Sequence, residues 1–226
     1  SPIWTPDGSQ VVFRSDSREG GQGIFVKASD GTGSVERLST GNHSPTGITA
    51  DGDYVLYHVD GDGGYDFGWL ESDGSSEPEL LVASAQLDSM PSVSPDGRWL
   101  AHVGNESGVF EVYVRPFPDA SSGRWQISTN GGDEPVWSPD GQELYYRNAN
   151  RLMSVSVSEG TPATWSAPSM LFERVYFSRL GFRTYDVAPD GRFLMVSVGL
   201  GAARSSGVNV IENWTTELAE LVTPFE

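Results

Sequence analysis

Three aspartates stand close together in a glycine-rich segment, Asp60-Gly61-Asp62-Gly63-Gly64-Tyr65-Asp66. A hard cation such as Ca²⁺ needs several carboxylate oxygens converging on it, and closely spaced aspartates can supply them. The same segment, rich in Gly and Asp, is also typical of a solvated hairpin turn. Asp60, Asp62 and Asp66 are therefore candidate calcium ligands, with the hairpin turn as the alternative and no other cofactor indicated.

The three histidines, His43, His58 and His102, are far apart in the sequence. His58 and His102 follow the apolar centre of a strand at what look like equivalent places in two successive repeats. One interpretation is a metal ion held between neighbouring repeats. The favoured interpretation is a structural role, because equivalent repeat positions share residue types.

Motifs that would indicate catalysis are missing from the sequence. It has no Gly-x-Ser-x-Gly nucleophile elbow, no Walker loop and no Rossmann glycine fingerprint. Cysteine is absent, which excludes disulfides and thiolate metal sites. No residue set unique to one repeat forms a reactive constellation, so the chain is not expected to be an enzyme.

The charge balance restricts the partners. Thirty-one acidic residues against fourteen basic ones give a formal net charge of -17. This charge repels phosphate backbones and anionic membranes, which argues against a nucleic-acid partner. No run of 18 apolar residues occurs, so no transmembrane insertion is expected.

Any site must be positioned by a repeat that runs through the sequence. A Pro/Ala-Asp-Gly turn followed by an apolar strand occurs five times, with its aspartate at Asp7, Asp51, Asp96, Asp140 and Asp190. The spacings are 44, 45, 44 and 50 residues, close to the roughly 40–45 residues of a four-stranded propeller blade. Pro presets φ, Asp bonds its own backbone and Gly takes a positive φ. The five aspartates are therefore predicted to be structural turn residues.

The predicted fold is all-β, a β-propeller of four-stranded blades, with five recognisable blades that form part of a larger propeller. The predicted blades cover residues 1–44, 45–89, 90–134, 135–182 and 183–212, with inner strands near 1–5, 45–49, 90–94, 135–138 and 183–187. Five blades closing alone is the alternative. The fifth blade is expected to have a third strand at Val208–Ile211.

Residues 213–226 are predicted to form a C-terminal amphipathic helix and tail. Asn213 can cap its start, and the residues that fall on one face are Trp214, Leu218, Leu221 and Val222. The helix is expected to pack on the last blade, with partner binding as the alternative.

The tryptophans are candidates either for the core between blades or for aromatic surfaces on which a ligand stacks. Trp4 and Trp137 precede the turn at the same place in their repeats and are predicted to lie in the core between blades. Trp69, Trp99 and Trp125 are less constrained. Exposed aromatics beside acids can stack on sugars, but core packing is the expected role.

The repeats resemble the WD-like repeats of the TolB-type propeller family, most recognisably in Trp137-Ser138-Pro139-Asp140-Gly141. The segments 131–141 and 209–218 resemble the sensor-like propellers that follow some bacterial serine/threonine kinase domains. The kinase strings His-Arg-Asp and Asp-Phe-Gly are absent.

The resemblance and the repeat together favour a non-catalytic binding scaffold for a protein or peptide, as part of a bacterial envelope or secreted protein in the periplasm or outside the cell. Two alternatives stay open. One is a lectin-like propeller that binds a glycan or small ligand, and the other is the non-catalytic propeller of a kinase or hydrolase.

Overall fold

The computed structural model describes residues 2–16, 21–61, 64–82, 88–158, 164–179 and 182–197. Within these residues the chain forms eighteen strands in five antiparallel sheets. No helix in the described part of the chain is both long and apolar enough to cross a membrane.

The strands follow the chain from sheet to sheet. The first sheet contains β1 (Ile3–Trp4), β2 (Gln10–Ser15), β3 (Gly23–Ala28) and β4 (Glu36–Arg37). The second contains β5 (Ser44–Ile48), β6 (Tyr54–Gly61), β7 (Gly64–Glu71) and β8 (Glu79–Val82). The third contains β9 (Asp88–Val93), β10 (Trp99–Gly104), β11 (Glu111–Pro116) and β12 (Trp125–Gln126). The fourth contains β13 (Asp133–Trp137), β14 (Glu143–Asn148), β15 (Arg151–Ser156) and β16 (Ser169–Glu173). The fifth contains β17 (Tyr185–Val187) and β18 (Phe193–Met195).

Each of the first four sheets is an up-and-down meander of four strands. The first strand of each sheet from the second to the fifth contacts the sheet before it. This confirms the predicted all-β fold of four-stranded blades. The first strands of all five sheets overlap the predicted inner strands. The predicted strand at 208–211 and the predicted helix from 213 lie outside the described residues.

A hydroxyl two residues before the aspartate organises the turn in the first four sheets. The Ser138 hydroxyl donates to Asp140 Oδ1 at 2.6 Å and accepts from the backbone N–H of Glu143 at 2.9 Å. The same pair of bonds is made by three other hydroxyls, those of Thr5, Thr49 and Ser94. In the fifth sheet this position is Ala188, and its turn closes one residue sooner, from the Ala188 N–H to the Arg192 carbonyl.

The core lies between neighbouring sheets. Because side chains alternate along a strand, β10 turns Ala101 and Val103 toward the fourth sheet. There they pack with Leu144 and Tyr146 of β14 in one buried cluster. Three similar clusters join the other neighbouring pairs of sheets.

Trp137 and Trp4 differ although they occupy the same place in the repeat. Trp137 is 6% exposed, and its indole N–H donates to the Ser92 carbonyl of the third sheet at 2.9 Å. Trp4 is 61% exposed, so its predicted core position is wrong. Trp137 is covered by the sheet before its own, whereas in the described part of the chain no sheet covers Trp4.

Candidate functional site

A cleft of about 640 Å³ opens between the third and fourth sheets, at the end of the strands opposite the Asp-Gly turns. Three loops form it: the two that follow β10 and β14, and the one that leads from β12 to β13. Its volume lies within the range of small-ligand sites. The lining residues are Ser107, Val109, Phe110, Glu111, Asn130, Gly131, Gly132, Asp133, Arg147, Asn148 and Ala149.

Buried hydrogen bonds hold the loop from β12 to β13 in place. Glu111 is almost fully buried and accepts from the Ser128 hydroxyl and from the Gly131 N–H, the latter at 3.0 Å. Ser128 also accepts from the Val112 N–H at 2.8 Å. A Cβ on Gly132 would lie 2.3 Å from the Ser128 hydroxyl oxygen, so only glycine fits there. This wall of the cleft is therefore formed before any ligand arrives.

Asn148 ties the loop that follows β14 to the same wall. Its Nδ2 donates to the carbonyl oxygens of Asn130 at 3.1 Å and Gly131 at 2.6 Å. Asn130, Glu134 and Ala149 all take a positive φ, of 64°, 52° and 54°. Such backbone is uncommon for residues other than glycine and costs of order 1–3 kcal/mol where it persists. Two of these residues, Asn130 and Ala149, line the cleft, and Glu134 follows the lining residue Asp133; the fourth such residue in the described chain, Met90, lies on β9.

Asp133 places a partly buried carboxylate in the cleft. Its Oδ1 accepts from the Glu134 N–H at 2.8 Å, and no described residue donates to Oδ2. Burial raises the pKa of the Asp133 carboxyl, and the Arg147 guanidinium opposes that rise. Asp133 therefore brings to the cleft lining one carboxylate oxygen that has no donor among the described residues.

Arg147 lies opposite Asp133 on β14, but its bonds point toward the fifth sheet. Its guanidinium donates to the Phe177 carbonyl at 2.8 Å and to the Ala149 carbonyl at 3.1 Å, and lies 4.0 Å from Glu134. Glu134 in turn accepts from the N–H and hydroxyl of Thr184. This buried cluster links the fifth sheet to the fourth and takes up the described hydrogen bonds of Arg147.

The predicted calcium ligands are not brought together by the strands on which they lie. In the β6–β7 hairpin, Asp60 is paired with Tyr65 and Asp66 with Val59, so the two aspartates point to opposite faces. Asp60 accepts from Asn42 Nδ2 at 2.6 Å. Asp62 lies outside the described residues, so the calcium site stays a prediction.

The segment also matches one further feature of a calcium loop, because a glutamate, Glu71, is the twelfth residue counted from Asp60. In the structure Glu71 is at the far end of β7, paired with Tyr54. At about 3.3 Å per residue, the extended strand keeps the two carboxylates far apart. Within the residues that the structure describes, no three His, Cys, Asp or Glu side chains are grouped for a metal ion.

The predicted equivalence of His58 and His102 in the repeat is wrong, because their positions differ by one residue. His102 is the sixth residue after its turn aspartate and His58 the seventh, so Tyr57 is the true counterpart of His102. His102 is fully buried, with Nδ1 3.3 Å from Asp88 Oδ1 and Nε2 accepting from Arg115 Nε at 3.2 Å. Both ring nitrogens face partners within the protein, which favours the structural role over a shared metal ion.

The five turn aspartates lie apart from the cleft, each accepting a hydrogen bond from the backbone N–H two residues later. These bonds fit the predicted structural role.

The less constrained tryptophans pack against the core clusters between sheets. Trp69 lies edge-on to Tyr54, with ring centroids 4.8 Å apart. Trp99 and Trp125 are 5.5 Å apart at the interface between the third and fourth sheets. None of the three is an open platform for a sugar.

Sequence reasoning missed Asp133 as a site residue. Asn130, Gly131 and Gly132 indicate a loop before it, but a loop signal does not mark a cleft. Nothing in the sequence shows that Val109 and Asn148 border the same space.

No family model matches the chain. It is 26% identical over 162 residues to the uncharacterized protein Atu1656 of Agrobacterium fabrum, which covers 66% of this chain and 50% of that protein. The chain thus spans about half the length of this relative.

Solved structures show the fold more clearly. A protein assigned as TolB from Agrobacterium tumefaciens matches with a TM-score of 0.64 and 21% identity, over 87% of this chain and 69% of that one. TolB from Acinetobacter baumannii matches at 0.63 and 16%, over 84% and 46%. A puromycin-hydrolyzing peptidase from Mycobacterium tuberculosis matches at 0.61 and 20%, over 85% and 34%. The chain therefore has a TolB-like propeller fold, which is shared by proteins of different activity.

Proposed function

We propose that this chain is a non-catalytic binding module that holds a protein or peptide at the cleft between its third and fourth sheets. One fold hosts many activities, so function has to be argued from the site. The observation that carries the proposal is the pre-formed cleft with the free Asp133 oxygen.

The chemistry of the lining supports binding over turnover. It offers no histidine, cysteine or lysine, and its one hydroxyl, on Ser107, donates to the Val109 carbonyl at 3.1 Å. Nucleophilic catalysis needs a nucleophile beside a base. Along the lining, none of the described side chains forms such a pair.

A glycan is the weaker candidate. Sugar sites need aromatic faces open to the ligand, and the lining contains only one aromatic side chain, Phe110. Peptides need hydrogen-bonding groups and small apolar surfaces, which the cleft offers.

Selection from a random peptide-display library against the chain tests the proposal. We expect enriched peptides to lose binding to V109W, which fills the mouth of the cleft at a side chain that is 52% exposed. The control is V35W, at an equally exposed valine (50%) outside the cleft lining, and it should bind as the parent does. Failure to enrich any binder, or binders that ignore V109W, would overturn the proposal.

We also propose that the whole protein works in the periplasm or outside the cell, as a relative of the kinase-linked sensor propellers. The resemblance of segment 131–141 supports this. Cell fractionation with an antibody against the chain, and the gene sequence on either side, test it. A cytoplasmic protein with no kinase or envelope segment would contradict it.

A further inference from the structure

Two acceptor atoms in the cleft are without a donor among the described residues. One is Asp133 Oδ2 and the other is Asn148 Oδ1, since Asn148 uses only its Nδ2 for the loop. Glu111 is satisfied by Ser128 and Gly131 and contributes negative charge only. The cleft thus offers acceptors and negative charge to whatever enters.

The one cation in the lining, Arg147, offsets this charge only in part. Arg147 faces Glu134 and is bonded to the Phe177 and Ala149 carbonyls. The hydrogen bonds of Arg147 therefore go to other groups, and Asp133 Oδ2 has no donor among the described residues.

Apolar surface borders these acceptors. Val109 is 52% exposed at the mouth, and Phe110 and Ala149 lie beside it in the lining. A ligand that matches both features has a cationic end and an aliphatic stem, because long basic side chains bury the stem and keep the charge at a polar group.

We propose that the cleft takes an arginine or lysine side chain of the partner, with Asp133 as the anchor of its charge. The inference rests on the proposed function, since the cation belongs to the bound protein or peptide. A carboxylate with one free oxygen accepts a charge-assisted hydrogen bond from either cation.

The test uses N-acetyl-arginine amide and N-acetyl-lysine amide, titrated into the chain and followed by NMR shifts of the cleft amides. N-acetyl-citrulline amide is the uncharged near-isostere of the arginine probe. We expect about millimolar affinity for at least one cationic probe and at least about tenfold weaker binding of citrulline.

The variant Asp133→Asn keeps the oxygen that accepts from the Glu134 N–H and removes the charge. It should weaken the cationic probe about tenfold and leave citrulline unchanged. The matched control is Asp186→Asn, because Asp186 also accepts from the next N–H, at 2.9 Å, but is exposed on the fifth sheet. If Asp133→Asn fails to fold, the arginine–citrulline comparison on the parent decides alone.

The outcomes separate the two proposals. Equal binding of arginine and citrulline, or no shift at the cleft up to the solubility limit of the cationic probes, overturns the cation site. Peptides that lose binding to V109W but bind Asp133→Asn as they bind the parent would overturn the cation site and support the proposed function. Cationic probes that bind while the library gives no binder would overturn the peptide partner, and with it the proposed function, and would leave only a cleft that binds small cations.

Discussion

The fourth and fifth sheets contain the same Pro-Asp-Gly turn, yet they place the following strand differently. In the fourth, the turn runs from the Ser138 N–H to the Glu143 carbonyl, and Leu144 is buried against the third sheet. In the fifth, it closes at Arg192, and Phe193 takes the buried side. The leucine at the same distance from the turn aspartate, Leu194, is 73% exposed.

The difference shows that the tripeptide alone does not set the register of the strand. Shifting a strand by one residue moves each side chain to the other face. The longer turn contains a hydroxyl that bridges Asp140 and Glu143, and the shorter turn has Ala188 there. We infer that this hydroxyl stabilises the longer turn.

Paired truncations of the two leucines give the largest expected effect. Leu144→Ala should destabilise the fold by about 2–5 kcal/mol, because it opens a cavity in a close-packed core. Leu194→Ala should stay within about 0.5 kcal/mol. Chemical denaturation measures both. Similar losses for the two variants would show that the fifth strand keeps the register of the fourth.

The cluster that fastens the fifth sheet can be loosened on its own. Thr184→Val removes a hydroxyl that donates a hydrogen bond to the buried Glu134 carboxylate. Losing this donor should lower the free energy of unfolding by about 1–3 kcal/mol. Hydrogen exchange should accelerate in β17 and β18 while β14 stays protected. Equal acceleration in both sheets would mean that they unfold as one unit.

Exchanging the residue before the turn sharpens the comparison further. Ser138→Ala should cost about 1 kcal/mol, because it removes two hydrogen bonds of a partly buried turn. The reverse change, Ala188→Ser, should alter stability by less than about 0.5 kcal/mol, since the shorter turn has no matching N–H. A clear gain from Ala188→Ser would break the inferred link between the hydroxyl and the turn length.

The smallest effect is on the carboxyl groups of the turns. The Ser138 hydroxyl is the largest cause that lowers the pKa of Asp140 below 3.8, whereas the Arg192 backbone N–H is the largest for Asp190. NMR titration of the carboxyl carbons should find the Asp140 pKa higher in Ser138→Ala and the Asp190 pKa unchanged in Ala188→Ser.

Stability follows the same groups. Because folding lowers these pKa values, their contribution is present above the unfolded value of 3.8 and is lost as pH falls through the lowered pKa. The clearest case is Asp7, whose hydrogen bonds to Thr5 and Ser9 lower its pKa to about 2. A titration of Asp7 near 3.8 in the folded chain would contradict the assigned bonds.

Local signals in the sequence were enough for the turns and the sheets. Each turn is made by residues within six positions of one another, and the alternating apolar residues of the strands follow directly. The spacing of the aspartates then implied four-stranded blades. The histidines show the limit of this reasoning, because an offset of one residue between His58 and His102 changes the face on which each lies.

The sequence by itself determined the repeat, the all-β fold and the place of the five aspartates in the turns, because these depend on neighbours along the chain. Only the tertiary structure decided that Trp137 is covered and Trp4 is not, and that Leu194 faces outward. It also brought Glu111, Asp133 and Asn148 around one cleft from the ends of three strands, β11, β13 and β14. Their approach depends on how two sheets pack, and packing joins residues that share no local pattern.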